Sequence, residues 1–389
     1  MNRYYVDLHI HIGRTYTGKP VKITGGKSLT FSNIIQHARD EKGLHMIGII
    51  DCHSPEVLFE IEERLASGDL VEHPDGGWFD EGLSIIPGCE LEIYDEFSSG
   101  PIHVLTYFST ISSMKEFSSW LSNHMKNIQL SSQRLYVSGR ELQKKVKELG
   151  GLFIPAHVFT PFKSLYGKGV RKSLTEVLDP ELIDGIELGL SADSDMADLL
   201  VELHNYTFVT NSDAHSLGKI AREYQMIQME ELTFKELKRA LLKEGGRTVI
   251  ANYGLDPLLG KYHQTVCAAC HQIRSAEHKE CPKCGESKII KGVSDRIMEL
   301  QTAASGPVDR PPYIHQVPLD FIPGLGPKLL AKLVDHFGSE MAIIHEVPLE
   351  KLKEIVPDKV AVQIDKARHG DLALQAGGGG KYGKITAES

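Results

Sequence analysis

Tyr4-Tyr5-Val6-Asp7-Leu8-His9-Ile10-His11 is a short apolar run that ends in two histidines, and the rest of the chain is read from it. Side chains two apart in an extended segment share a face, so His9 and His11 point the same way and can grip one metal cluster. The arrangement returns downstream. Asp51-Cys52-His53 follows a strand candidate at 46–50, Pro87-Gly88-Cys89-Glu90 follows 83–86, and His103 opens one at 103–107. Pro155-Ala156-His157 follows 152–154, and Asn211-Ser212-Asp213-Ala214-His215 follows 207–209. With 4–9, 185–188 and 248–251, these strands alternate with helical stretches to about residue 252, the rhythm of an α/β chain built on a βα repeat. The C-terminal ends of barrel strands converge on one face, so ligands distant in sequence surround one cavity. Ser138 with Glu141, and Thr233 with Glu236, are capping-box candidates at two helix starts.

A lone histidine after a strand is ordinarily a packed or surface residue, and His37, His45, His73, His124 and His204 are read that way. His9, His11, His53, His103, His157 and His215, with Glu90 and Asp213, stand instead at successive strand ends and form a candidate metal site. Imidazole and carboxylate suit zinc, manganese or iron, and Glu90 is the candidate bridge between two ions. Such ions lower the pKa of bound water to near ~7 and clamp the oxygens of a phosphate ester. Phosphoester hydrolysis centred on Asp213, Glu90 and His9 is the expected chemistry.

The 389 residues leave room for two or three domains, and 41% hydrophobic with 24% charged residues is ordinary for a soluble globular protein. No apolar run is long enough for a bilayer, and the N-terminus enters a strand directly, so a cytoplasmic location is expected. A formal net charge of −9 argues against wholesale coating of nucleic acid and leaves room for local basic surfaces. A reducing compartment argues against disulfides, so Cys267-x2-Cys270 and Cys281-x2-Cys284 read as two knuckles closing a tetrahedral structural zinc site. His271 and His278 are spare ligands beside them. This module either braces the barrel or touches nucleic acid; its balanced charges favour neither.

Beyond it, Phe321-Ile322-Pro323-Gly324-Leu325-Gly326-Pro327-Lys328 leads into an apolar helix and resembles a helix-hairpin-helix. In that motif amides around Gly324 and Gly326 meet a DNA phosphate without reading sequence, with Lys328 and Lys332 adding charge; the alternative is a plain turn between packed helices. Two loops beside candidate ligands are basic. One carries Arg14, Lys19, Lys22 and Lys27; the other carries Lys163, Lys168, Arg171 and Lys172 among Phe159, Phe162 and Tyr166. Positive charge with flat rings suits a phosphate backbone and an unstacked base. Trp78 and Phe79 offer either ordinary packing or a wedge into a helix.

The order of the metal motifs resembles the PHP (polymerase and histidinol phosphatase) family over roughly the first 250 residues. The resemblance implies a distorted (β/α)7 barrel and three metals: one at His9, His11, Glu90 and Asp213, a second at Glu90, His103 and His157, and a third at His53 and His215. Two departures stand out. Gly13 to Thr17 lacks the acid or histidine common there, which weakens the third site, and Cys52 separates Asp51 from His53. A PHP barrel, a four-cysteine zinc module and a helical hairpin in one chain resemble the endonuclease Q family. That resemblance implies a DNA repair nuclease cutting the phosphodiester 5′ to deoxyuridine, deoxyinosine, deoxyxanthosine or an abasic site, with two or three catalytic divalent metals (Zn, Mn or Mg) and one structural zinc. The expected layout is a barrel at 1–255, a zinc module at 256–310, a helical hairpin region at 311–374 and a disordered tail at 375–389. The expected partner is lesion-bearing DNA, with no membrane and a cytoplasmic, nucleoid-associated location. Rival readings are a small-molecule phosphatase, a 3′-5′ exonuclease and a DNA-binding scaffold with a spent barrel.

Overall fold

Strand β1 (Asn2–Ile10) is fully buried from Val6 onward and forms the centre of the largest sheet in a computed structural model that describes residues 1–274, 279–372, 374–375, 377 and 382–385. β2 (Met46–Ile49) lies parallel to it, and β3 (Leu83–Ile93) lies parallel to β2. β4 (Ile102–Tyr107) runs antiparallel to β3, and β5 (Leu152–Pro155) antiparallel to β4. The short link between β3 and β4 has no room for the crossover that a parallel pair requires, so the chain turns back as a hairpin. β6 (Ile186–Glu187) and β7 (Phe208–Val209) pair in parallel. The Val158 amide reaches the Glu187 carbonyl on one side of this pair, and a parallel bridge from Ala214 to Ile10 returns the chain to β1 on the other. Seven strands therefore close into a ring with one reversed member, the distorted PHP barrel. β2 and β5 are buried along their whole length, as strands covered on both faces must be.

Every strand candidate is present, and β3 runs well past Ile86. The longest of the strands that were not anticipated is β8 (Tyr224–Met229), which lies antiparallel to β1. Its Gln225 interrupts the apolar pattern, yet it is buried and fully used, donating to the Val6 carbonyl (2.8 Å) and accepting from the Thr210 amide (2.9 Å). β9 (Thr248–Gly254) pairs antiparallel to β8, and β10 (Tyr313–His315) adds in parallel to β9. Ser138 and Thr233 do cap their helices, Gly139–Glu148 and Phe234–Leu241. Both caps are one-sided: the Glu141 side chain makes no return bond to Ser138, and Glu236 instead accepts from Arg247 and the Glu230 amide.

The four-cysteine module sits between β9 and β10, with Val266–Cys267 antiparallel to Ile289–Ile290, followed by helix Val293–Leu300. The hairpin's leading helix is only a 3-10 turn, Leu319–Phe321; Gly324 (φ 86°) then turns the chain into helix Pro327–Phe337. The helices behind it dock on the barrel: Lys42 Nζ meets Glu340 at 2.9 Å, and His345 stacks on Tyr5 at 4.6 Å. His278 lies outside the described residues. In the segment read as a disordered tail, Gln375 belongs to a short strand, Leu374–Gln375, that pairs with Lys384–Ile385, and Tyr382 packs near the barrel mouth. Among the described residues no helix is long and apolar enough to cross a membrane.

Candidate metal centre

The end of β1, the middle of β3, the start of β4 and the loops after β5 and β7 bring the predicted side chains together. His9 Nε2 and His11 Nε2 lie 3.3 Å apart. Asp213 Oδ1 stands 3.5 and 3.4 Å from them, and the Glu90 carboxylate 3.6 Å from each. Across Glu90, His103 Nδ1 is 2.8 Å and His157 Nε2 3.3 Å from Oε1, so this carboxylate joins two ligand groups as a bridge must. A third group contains His11, Asp213 and His215. Two ligands are held in a backbone region that side chains rarely adopt, His157 at φ 31° and Asp213 at φ 45°. Gly189 lets the first approach closely, since a Cβ there would lie 2.8 Å from the His157 Cβ. Such strain persists only where the surroundings over-determine it.

The outer partners orient the rings. His9 Nδ1 meets Glu187 Oε1 at 2.9 Å and His11 Nδ1 meets Asp51 Oδ2 at 3.0 Å, so both Nε2 lone pairs face inward. Burial works against a charged His9, but Glu187, Asp213 and Glu90 together hold its pKa up to about 10. Burial likewise opposes ionisation of Glu90 and Asp213; His103 and Lys22 around the first, and His9 and His11 around the second, nevertheless keep both well below the ordinary carboxylate range. Buried anions of this density require cations, and the buried Asp213 Oδ1 has no hydrogen-bond partner among the described residues. Imidazoles and carboxylates converging on such an atom fit divalent metals.

His53 joins none of these groups. Its Nε2 faces the Leu130 carbonyl at 3.3 Å, and burial lowers its pKa, so His215 is grouped with His11 and Asp213 rather than with His53. In the second motif Asp51 is the working residue, while Cys52 is buried with its sulfur on the Ile49 carbonyl. Two contributors escaped the sequence reading. Glu187, at the end of a strand already recognised, was legible as one more strand-end carboxylate. Lys22 was counted only as loop charge, yet its Nζ lies 2.9 Å from Glu90 Oε2.

The sulfurs of Cys267, Cys270, Cys281 and Cys284 all lie within 4.8 Å of one another. His271 (φ 57°) and Gly285 (φ 75°) each follow a knuckle in the left-handed region, and among the described residues the ligand group there consists of the four cysteines without His271. Of the candidate DNA contacts, Gly324, Gly326, Lys328, Lys168 and Arg171 are exposed. Lys19 pairs with Glu56 and Lys163 with Glu92, both at 2.9 Å, and Arg14 bonds the Gly13 carbonyl. Tyr166 is a correction. It is fully buried, stacked on Phe159 at 5.3 Å and bonded to Glu202, so it cannot present its face to a base; Phe162 is the exposed ring of that loop.

A distorted barrel whose mouth gathers histidines around a bridging carboxylate, with a thiolate module and a helical hairpin behind it, defines a metal-dependent phosphoesterase of the PHP type. No protein-family model matches the chain. It is 56% identical over 385 residues to the uncharacterized Bacillus subtilis protein YqxK, covering 99% of this chain and 100% of that one. Two solved structures match along its whole length. One is the lesion-specific endonuclease PfuEndoQ from Pyrococcus furiosus, at 34% identity and TM-score 0.86 over 100% of this chain and 96% of that one. The other is endonuclease Q in complex with a 27-mer duplex bearing an abasic lesion at the active site, at 33% identity and TM-score 0.85 over 100% and 97%. The chain belongs to the endonuclease Q family.

Proposed function

We propose that this protein is a DNA repair endonuclease that hydrolyses the phosphodiester 5′ to a deaminated base (uracil, hypoxanthine or xanthine) or an abasic site, leaving a 3′-hydroxyl and a 5′-phosphate. The observation that carries the reading is the Glu90 bridge at the mouth of a barrel matched along its full length to a lesion-specific endonuclease. His9, His11, Glu90 and Asp213 would hold one divalent metal, Glu90, His103 and His157 a second, and His11, Asp213 and His215 a third. Bound there, the metals supply a water acidic enough to attack at neutral pH and positive charge for the phosphate oxygens.

The chain's own groups do the rest. Glu187 and Asp51 fix the His9 and His11 rings, and Lys22 and Lys163 flank the site as cations for the phosphate backbone. The exposed turn at Gly324 and Gly326, at the start of helix Pro327–Phe337, offers amides to a phosphate further along the duplex, with Lys328 beside it. The four cysteines take one structural zinc. In this division the barrel at 1–255 does the chemistry, the segment at 256–310 is the zinc module and the one at 311–374 grips the backbone. A cytoplasmic, nucleoid-associated location follows from such a substrate.

The test is a labelled duplex containing one deoxyuridine or deoxyinosine, incubated with Mg²⁺ or Mn²⁺. A single nick 5′ to the lesion, abolished by Asp213→Ala, is expected. Ladders from the ends would point to an exonuclease, and phosphate release from a small ester without cleavage would sink the endonuclease reading.

A further inference from the structure

The face of β3 that carries Glu90 continues outward past the metal centre. Alternation along the strand sets Glu92 and then Tyr94 on that face, while Leu91 and Ile93 are buried on the other. Beside it the short strand Arg134–Leu135 lies parallel, with Arg134 opposite Glu92 and Leu135 opposite Ile93. This segment also departs from the metal centre, because the Ser132 hydroxyl donates to the Glu90 carboxylate. It ends at Tyr136, whose amide donates to the His124 carbonyl at 2.8 Å and so stands beside Lys126. Tyr94 and Tyr136 are 40% and 51% exposed, and Arg134 and Lys126 are exposed with them.

These side chains interleave. The Arg134 guanidinium lies 4.8 Å from the centroid of the Tyr94 ring and 5.3 Å from that of Tyr136, and the Lys126 ammonium lies 5.7 Å from the Tyr136 centroid. Ring faces that already hold cations are no platform for bases. Their effect is to hold two flexible cations extended from the surface, which lowers the ordering cost when those cations bind. Among the described residues neither cation forms an ion pair, and the one hydrogen bond of Arg134 goes to the Tyr94 carbonyl at 2.6 Å. The acids close by are engaged elsewhere: Glu92 meets Lys163 at 2.9 Å, and Asp95 accepts from the amides of Phe97, Ser98 and Gly139. Glu96 is the one exposed carboxylate of the loop at 94–100. Two exposed cations without counter-ions, in a chain of net charge −9, suit a polyanion.

The hairpin region docks at β1 and at residue 42, whereas β3 stands two places round the ring from β1. Four residues of strand span roughly 13 Å, so Tyr94 lies about four base pairs of duplex from Glu90. We propose that Arg134 and Lys126 grip phosphates on one flank of the duplex, within about four base pairs of the cut, and that Tyr94 and Tyr136 are positioning residues that hold these cations in place. This rests on the endonuclease reading above. It gives the enzyme a second hold on the backbone, on a different wall of the mouth from the turn at Gly326.

The experiment uses the full chain and three duplexes, each with one abasic analogue, tetrahydrofuran. One has long flanks on both sides; in the others the flank 5′ or 3′ to the lesion is cut to about two base pairs, inside the reach worked out above. The readout is kcat/KM for nicking over a series of salt concentrations. On the long duplex Arg134→Gln is expected to reduce the slope of log kcat/KM against log salt by about 1, and Arg134→Gln with Lys126→Gln by about 2. Shortening one flank, and only one, is expected to abolish the difference between wild type and variant. Tyr136→Ala is expected to lower kcat/KM roughly two- to fivefold through KM with kcat retained, and Tyr136→Phe, which keeps the ring, to match wild type. Equal slopes for wild type and Arg134→Gln on the long duplex overturn the proposal, and so does a difference that survives both truncations or is lost in both. Wild-type protein that nicks none of the duplexes refutes the endonuclease reading itself, whereas normal nicking with an unchanged slope refutes only the second hold.

Discussion

Glu187→Gln is the most informative single change, because it keeps the shape of a buried side chain and removes only its ability to accept from every side. The carboxylate takes three donors: His9 Nδ1 at 2.9 Å and Asn211 Nδ2 at 2.8 Å on Oε1, and the His157 amide at 2.8 Å on Oε2. Glutamine has one acceptor oxygen. If that oxygen keeps His9 and Asn211, an NH₂ group is left facing the His157 amide, at a residue already held at φ 31°. A hydrogen bond to a charged group contributes about 1.5–3 kcal/mol, which corresponds to roughly a 10–100-fold change in an equilibrium constant. Loss of an outer partner to a ligating histidine costs about 10–100-fold in metal affinity, the same range. The assay is the Mn²⁺ dependence of lesion nicking, with metal content measured in parallel. The Mn²⁺ midpoint should rise by that factor, excess Mn²⁺ should restore much of the rate, and zinc held by the four cysteines should not change. An unaltered midpoint would refute the idea that Glu187 orients the site.

Gly189→Ala places a Cβ against His157 at a φ of 80°, and should cost about 1–3 kcal/mol and lower nicking more than DNA binding, read by melting temperature and by anisotropy. Cys281→Ser should reduce bound zinc by one equivalent in elemental analysis and lower the melting temperature, with the barrel's circular dichroism retained. Lys328→Ala should reduce the slope of log affinity against log salt by about 1, equally for damaged and undamaged duplexes. Burial raises Glu223 to about 8, so the folded state binds a proton there that the unfolded state releases. Its contribution is therefore lost as pH rises from the ordinary glutamate range through about 8, and Glu223→Gln should raise the melting temperature at pH 9 but not at pH 5.

Most of the candidate metal centre was legible because strands announce themselves by apolar runs of a few residues and most of these side chains stand near strand ends, although Glu90 lies in the middle of β3 and His103 at the start of β4. His9, His11, Glu90, His103, His157, Asp213 and His215 all occupy the mouth as that logic requires. His53 stands after a strand end too, but its Nε2 faces the Leu130 carbonyl and it joins none of the ligand groups among the described residues. Tyr166 was misread for a general reason. A basic loop with aromatic residues looks the same whether its rings face solvent or core, and only the path of the loop over Phe159 and Glu202 decides. β8 stayed hidden because the buried Gln225, which takes the place of backbone partners, breaks the apolar pattern that marks a strand. The place of Tyr382 could not be inferred at all: a glycine-rich composition reads as linker, and its docking depends on close approaches to Leu258 and Leu259 that have no local signature.

The pairing of β10 with β9 bears on how the enzyme measures its substrate. The chain leaves the sheet after Gly254 and re-enters it at Tyr313 on the adjacent position, so the four-cysteine excursion begins and ends at nearly the same point in space. The hairpin region is moored to the barrel independently of that excursion, by Lys42 with Glu340 and by His345 stacked on Tyr5. On the function proposed above, the distance from a phosphate at Gly326 to the bond cut at Glu90 is set by the sheet and not by the length of the four-cysteine excursion.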